Sequence, residues 1–389
     1  MKLPIYLDYH ATTPVDPRVL EAMLPCFTEN FGNPASRNHK FGWAAATAVE
    51  NARKQVAKLI NASAKEIVFT SGASESDNLA IKGVAHRYRE RGDHIVTLAT
   101  EHKAVLDSAQ RLAQEGFRVT YARLQPDGLV DLEDLKQAIT ERTLLVSIMA
   151  ANNEIGVLQP LAEIGRLCHE RGALFHTDAA QATGKIHLDV EAMQIDLLSI
   201  AGHKMYAPKG VGALYVRQRG APVELVPTMD GGGHEGGRRS GTLNVPGIVG
   251  LGKACEVCGL EMAEESRRLA GLRDRLKDGL LARLEGIHIN GSLEHRLPNN
   301  LSVSFPGVDI PTLMAAVSDL ALSSGSACTS GKPEPSYVLQ ALGVPAEVAN
   351  TPLRFGLGRF TTQEEIDYCL DRVVEAVKQL RVMGATAAA

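Results

Sequence analysis

The chain has 389 residues, 44% of them hydrophobic and 22% charged, with a formal net charge of −4. These are the proportions of a globular protein with room for about two or three domains. No basic balance marks a nucleic-acid partner, and no apolar run reaches the ~18 residues of a membrane span.

The elements follow in chain order. Residues 6–14 read as a short strand and a turn, with His10 in a packed or functional place. Phe41, Val49, Ala52, Val56, Leu59 and Ile60 recur at helical spacing and predict a helix over 40–60. A strand over 66–71 runs into the small-residue turn Gly72-Ala-Ser-Glu-Ser-Asp-Asn78 and a helix over 74–91. Such a turn leaves amide groups free at the positive end of a helix, which suits a phosphate, though a capped helix with no ligand has the same appearance. No P-loop is present, and none of the strand-to-helix turns carries a dinucleotide-binding glycine fingerprint.

A strand over 94–100 leads through Glu101-His102-Lys103 into a helix over 104–115. Strand 118–124 and helix 132–139 come next, and strand 144–151 delivers Asn152-Asn153-Glu154. Helix 161–171 precedes strand 174–178, which ends on Asp178, with Gln181 three residues on. The apolar run 197–201 ends at Gly202-His-Lys204, and a further strand covers 213–216. Strands alternating with helices mean a mostly parallel sheet. Ser71, His102, Asn153, Asp178 and Lys204 all fall at strand C-terminal ends, where an open α/β sheet builds its site.

The loop 230–242 is rich in glycine; it is either a linker or a second anion-binding element using Arg238, Arg239 and Thr242. From Val245 long helices are expected through 285, then strands 287–290 and 300–305, helix 311–320, strand 353–358 and a last helix 364–381. The expected architecture is a large α/β domain over 16–250 and a smaller α+β domain from 1–15 and 251–389.

Six cysteines in a chain of this length form no disulfide framework. Cys255-Glu-Val-Cys258 has metal or redox spacing but no second pair and lies in a helical pattern, so it reads as two packing residues. Cys328 differs. It sits in Ser323-Ser-Gly-Ser-Ala-Cys-Thr-Ser-Gly-Lys-Pro-Glu-Pro335, a small polar stretch of loop character over about 321–335. A partly exposed thiol there is a candidate nucleophile. Arg354, on a strand soon after, is suited to a carboxylate.

A strand-end lysine able to form a Schiff base, a strand-end aspartate for a pyridinium nitrogen, a histidine and a phosphate cradle together match pyridoxal 5′-phosphate (PLP). The motifs Tyr6-Leu-Asp-Tyr-x-Ala-Thr-Thr, Phe69-Thr-Ser-Gly-Ala-x-Glu-Ser-Asp-Asn, Thr100-Glu-His-Lys-Ala-Val-Leu, Ala151-Asn-Asn-Glu-Ile-Gly, Gly202-His-Lys and Ser323-Ser-Gly-Ser-Ala-Cys run through nearly the whole chain. With them the sequence resembles the group I (NifS/IscS type) cysteine desulfurases, PLP enzymes of fold type I in the class V aminotransferase-like group.

The resemblance implies that Lys204 carries PLP and later shuttles protons, and that Asp178 keeps the ring nitrogen protonated. Gln181 is expected on the ring oxygen, Asn153 on ring or substrate, and His102 over the ring. Ala73, Ser74 and His203 are implied phosphate contacts, beside Ala201 and Gly202, with Thr242 reaching in from a partner subunit. Ala201 stands where the family usually has Ser or Thr, one hydroxyl donor fewer. Arg354 with Asn153 is expected to hold the substrate carboxylate. Cys328 is expected to take the sulfur of L-cysteine as a persulfide, leaving L-alanine, and to pass it on for iron–sulfur cluster assembly or tRNA thiolation.

A homodimer is implied too, with an iron–sulfur scaffold or another acceptor protein as partner. No metal is expected beyond a transient iron–sulfur contact at Cys328. The residues after the last helix include no aromatic, basic tail, so scaffold docking by such a tail is not expected. The N-terminus lacks the apolar core of a signal peptide, and the expected compartment is the cytoplasm. Other class V chemistries, such as a selenocysteine lyase or an aminotransferase, remain alternatives, as do a non-catalytic assembly platform and a thiol enzyme without PLP.

Overall fold

The computed structural model describes residues 2–324 and 335–387. The Cys328 loop therefore lies outside the described residues. Chain order begins β1 (Ile5–Tyr6), α1 (Pro17–Met23), α2 (Pro25–Thr28), α3 (Lys40–Leu59), β2 (Ile67–Thr70), α4 (Ala73–Arg87), β3 (His94–Leu98), α5 (Lys103–Gln114) and β4 (Arg118–Ala122). It continues with α6 (Leu132–Ala138), β5 (Thr143–Ser147), α7 (Leu161–Glu170), β6 (Leu174–Asp178), β7 (Leu197–Ala201), β8 (Gly212–Val216) and α8 (Val245–Arg283). Then come β9 (His288–Ile289), β10 (Asn300–Ser304), α9 (Ile310–Ala316), β11 (Leu320–Ala321), α10 (Tyr337–Ala341), α11 (Ala346–Ala349), β12 (Pro352–Gly356) and α12 (Gln363–Ala387).

Seven strands form the central sheet in the order β2-β8-β7-β6-β5-β3-β4. Only β8 runs against its neighbours, pairing antiparallel with β2 and β7; the remaining pairs are parallel, as the alternation of strands and helices predicts. Side chains alternate between two apolar layers. Ile67, Phe69, Val96, Phe175, Leu198 and Ile200 meet α3, α7 and the first half of α8. Val68, Ile95, Leu145, Leu197 and Leu214 meet α4 and α5. A sheet covered on both faces reads as continuous apolar runs, and that is why its strands were recognisable.

A second core gathers Ile5, Leu7, Leu269–Leu280 of α8, β10, β12 and α12. Here the expected series of helices is a single helix of 39 residues, α8. Its first half packs in the large core and its second half in the other. Local pattern cannot separate a helix that changes partners from two helices. The helix expected over 311–320 stops at Ala316, and Leu320–Ala321 pairs parallel with Ile5–Tyr6. That partner lies at the far end of the chain, beyond any local signal. The short helix α1 was not expected, although Asp16 caps it and Pro17 opens it. Among the described residues no helix is long and apolar enough to cross a membrane.

The packing of α3 on α8 depends on close approach at Gly252. A Cβ there would stand 2.5 Å from Gln55 Oε1 and 2.6 Å from Ala52 Cα. Gly252→Val is expected to lower stability by about 1–3 kcal/mol through overpacking. The measurement is the urea midpoint, which should fall at unchanged slope.

Candidate active site

The C-terminal ends of the central strands open onto one cavity of about 560 Å³. β2 ends at Thr70, and Gly72 turns the chain with φ 154°, a conformation glycine takes far more readily than other residues. The space beside its Cα is open. α4 starts at Ala73 with no side chain capping it. The amides of its first turn, with the positive end of the helix dipole behind them, therefore lie where Ala73 and Ser74 line the cavity.

Asp178 closes β6. It is 6% exposed and accepts the Ala180 N–H at 2.9 Å. Burial raises its pKa, and the Ala180 hydrogen bond, His102 and Lys204 act in the opposite direction. Behind it on α4, Asp77 is fully buried; neither oxygen has a hydrogen-bond partner among the described residues, and His176 Nε2 lies 3.6 Å from Oδ1. Burial first, then the Asp178 carboxyl, hold Asp77 well above the usual carboxylate range. His176, on the same face of β6, is pushed down to about 3 by burial, so it supplies no countercharge. A carboxylate at Asp178 is thus costly until a cation meets it.

Lys204 leaves β7 through a 3-10 turn, Gly202–Lys204. Its Nζ donates to the carbonyl of Ala11 at 2.9 Å and also to that of His10. The N-terminal segment wraps this turn. The Thr13 N–H and hydroxyl both donate to the His203 carbonyl, and Thr12 Oγ1 lies 3.2 Å from His203 Nδ1. Burial, followed by the neighbouring Lys204, lowers His203 to about 4, so its ring is neutral near pH 7.

Gln181 is engaged with the same segment. Its amide donates to the His10 carbonyl at 3.0 Å, and its Oε1 lies 3.0 Å from His10 Nδ1. His10 is buried and lines the cavity. Sequence reasoning left its place open, and the signal, the Tyr6-to-Thr13 motif, carried no role for it. His102 caps α5: its Nδ1 accepts the Ala104 N–H at 3.2 Å. That acceptor role places the neutral ring's proton on Nε2.

Asn153 follows β5. Its carbonyl accepts from Arg354 Nη1 at 2.7 Å, and its buried Oδ1 has no hydrogen-bond partner among the described residues. Arg354, on β12 and 5% exposed, also donates to Asp8 Oδ1 at 2.8 Å, while its Nε has no hydrogen-bond acceptor among the described residues. The predicted carboxylate clamp is therefore a guanidinium already fixed on one side, with donors left over. Glu154, next in the chain, accepts the Ser336 hydroxyl at 2.5 Å. Burial pushes it up to about 7, only partly offset by Ser336 and Arg354.

His102, Ala73, Ser74, Asn153, Asp178, Gln181, Ala201, His203, Lys204 and Arg354 all line the one cavity. Gly202 is buried at the base of the Lys204 turn. Thr242 is exposed and does not line the cavity within this chain. The arginines of the glycine-rich loop do not line the cavity themselves: Arg239 pairs at 2.7 Å with Glu75, which does, and Arg238 donates to the Lys65 carbonyl at 3.3 Å. Cys255 and Cys258 are buried in α8, as packing residues are.

The cavity suits PLP on its own chemistry. An uncapped helix start accepts a phosphate, and a buried aspartate short of a cation accepts a protonated ring nitrogen. Lys204 supplies the amine for the aldehyde, and the unpartnered Asn153 Oδ1 waits for a donor.

This arrangement defines a PLP enzyme of fold type I. The sequence profile described as Aminotransferase class-V matches residues 5–369. The chain is 61% identical over 384 residues to "Cysteine desulfurase IscS" of Anaeromyxobacter dehalogenans (strain 2CP-C), covering 99% of this chain and 95% of that protein. Among solved structures, a NifS-like protein superposes with TM-score 0.89 at 41% identity, covering 96% of this chain and 99% of the other. Another, described as SspA in complex with cysteine, gives TM-score 0.81 at 38% identity over 92% of this chain and 100% of its own. The chain belongs to the class-V aminotransferase family, and within it to the cysteine desulfurases.

Glu154 provides a pH test of the site. Its pKa rises from 4.5 to about 7 on folding, so the unfolded chain holds fewer protons across that window. Stability contributed at this residue therefore falls as pH rises through it. Glu154→Gln should become more stable relative to the parent as pH rises across the window, read from urea midpoints at about pH 5 and about pH 8.

Proposed function

We propose that the protein takes the sulfur from L-cysteine, releasing L-alanine and leaving a persulfide on Cys328. The observation that carries this reading is the meeting of Asp178, Lys204, His102 and Arg354 in one cavity. When bound there, PLP supplies the electron sink that labilises bonds at the substrate's α- and β-carbons.

The chain's own residues supply the rest. Lys204 would hold the cofactor through Nζ, and its free amine would carry protons at that atom. Asp178, as the carboxylate, holds a proton on the ring nitrogen. The amides of Ala73 and Ser74 and the neutral His203 receive the phosphate, with Ala201 and Gly202 forming the wall beside it. Gln181 and Asn153 orient the ring, and His102 presents its Nε2–H to ring and substrate. Arg354, steadied by Asp8 and the Asn153 carbonyl, orients the substrate carboxylate.

The Cys328 thiolate attacks the substrate sulfur: the carbon–sulfur bond breaks, a sulfur–sulfur bond forms, and the carbon takes up a proton to become the methyl of alanine. The persulfide is then passed to an acceptor protein for iron–sulfur assembly or tRNA thiolation. A cytoplasmic homodimer, with Thr242 completing the partner's phosphate site, fits the exposed position of that residue. The two hydrophobic cores support a division into a large and a smaller unit, for which we keep 16–250 and 1–15 with 251–389, the change of core falling inside α8 between Cys258 and Leu269.

With L-cysteine and a reducing thiol, the PLP-loaded protein should release L-alanine, and Cys328→Ser should release almost none. Equal release by both would sink the nucleophile, and release by neither would sink the activity. Ala201 lacks a hydroxyl at the phosphate wall. One charge-assisted hydrogen bond is worth about 1.5–3 kcal/mol, so Ala201→Ser should retain PLP longer on dialysis than the parent.

A further inference from the structure

Lys185 lies in the turn after β6, four residues beyond Gln181, and is 9% exposed. Its Nζ donates to the carbonyl of Gln181 at 3.0 Å and to that of Lys204 at 3.2 Å. Its own carbonyl accepts the Ser266 hydroxyl at 2.7 Å, which fixes the turn to α8. The side chain therefore spans from one cavity-lining turn to the backbone of the other.

Donor count separates its two protonation states. A neutral amine carries two N–H donors and an ammonium three. Two carbonyls take two donors, and a third proton would be buried without an acceptor among the described residues. The groups facing Lys185 are Lys204 and His203 from the turn after β7, His10 from the N-terminal segment, and Cys258 and Glu265 from α8. Glu265, the one carboxylate among them, is paired with Arg359 at 2.8 Å, and Arg359 also holds Asp16. Burial, then the charge of Lys204, bring Lys185 down to about 7.

We propose that Lys185 is a positioning residue for Lys204: an uncharged amine that ties the Lys204 carbonyl to the Gln181 turn and adds no second charge beside it. The inference rests on Lys204 being the lysine that carries the cofactor.

The test uses holoenzyme and follows the visible absorbance of the bound cofactor against pH. Lys185→Arg adds a permanent cation near Lys204, which disfavours the protonated nitrogen. It should lower the titration midpoint by at least about half a unit. Lys185→Met has similar length and no charge, so its midpoint should stay within about 0.3 unit. The lost tether should lower kcat for alanine formation about tenfold, with KM for L-cysteine within about twofold.

If Lys185 were an ammonium, the pattern would invert, with Lys185→Met raising the midpoint and Lys185→Arg leaving it in place. That inversion, or unchanged kcat in Lys185→Met, overturns the proposal. Circular dichroism checks folding, and if Lys185→Arg does not fold, the Lys185→Met midpoint and kcat decide. A pH-dependent chromophore that persists in Lys204→Ala would overturn the reading of Lys204, and the inference with it.

Discussion

Desolvation of charge is the constraint on which this site depends. A sheet covered by helices on both faces places the ends of its strands in a region of low polarity. Asp178, Asp77 and Glu101 are all buried there, and burial raises the pKa of each. No arginine or lysine forms a salt bridge to any of the three among the described residues. The arrangement favours one negative charge at most in this group, and it favours a ligand that brings a positive one. A protonated pyridine ring beside Asp178 meets that condition, and the open amides of α4 meet the opposite charge of its phosphate.

The second ordering influence is the N-terminal segment. The carbonyls of His10 and Ala11 receive Lys204, while Thr13 secures the backbone of the same turn. Gln181 grips His10 from the other side. A lysine side chain has many rotamers, and holding its free amine by two carbonyls removes much of that freedom before the cofactor arrives. β1 pairs with β11 and Asp8 bridges to Gly356 and Arg354, so the segment that holds Lys204 also reaches the expected substrate arginine. The two ends of the chain thereby meet across the cavity.

The strands of the central sheet were legible because buried parallel strands are short, continuous apolar runs. The polar residues at their ends were legible for the same reason: each interrupts such a run. Elements whose partners lie far away were not. β11 gained its strand character from β1, and α8 joined two cores through a stretch with no local sign of the change. The capping role of His102 coexists with its place in the cavity.

The sequence by itself carried the fold class and, through its motifs, the cofactor chemistry, and it singled out Lys204, Asp178 and His102 as site candidates because residue type and position after a strand are local properties; Arg354 it singled out on a strand by residue type. The tertiary structure alone decided that His10 belongs to the cavity and that Arg239 meets it through Glu75. It also decided that Arg354 is already braced by Asp8 and that Lys185 stands behind Lys204. Each of these depends on burial and on contacts between segments far apart in the chain, and neither has a local signature in the order of amino acids.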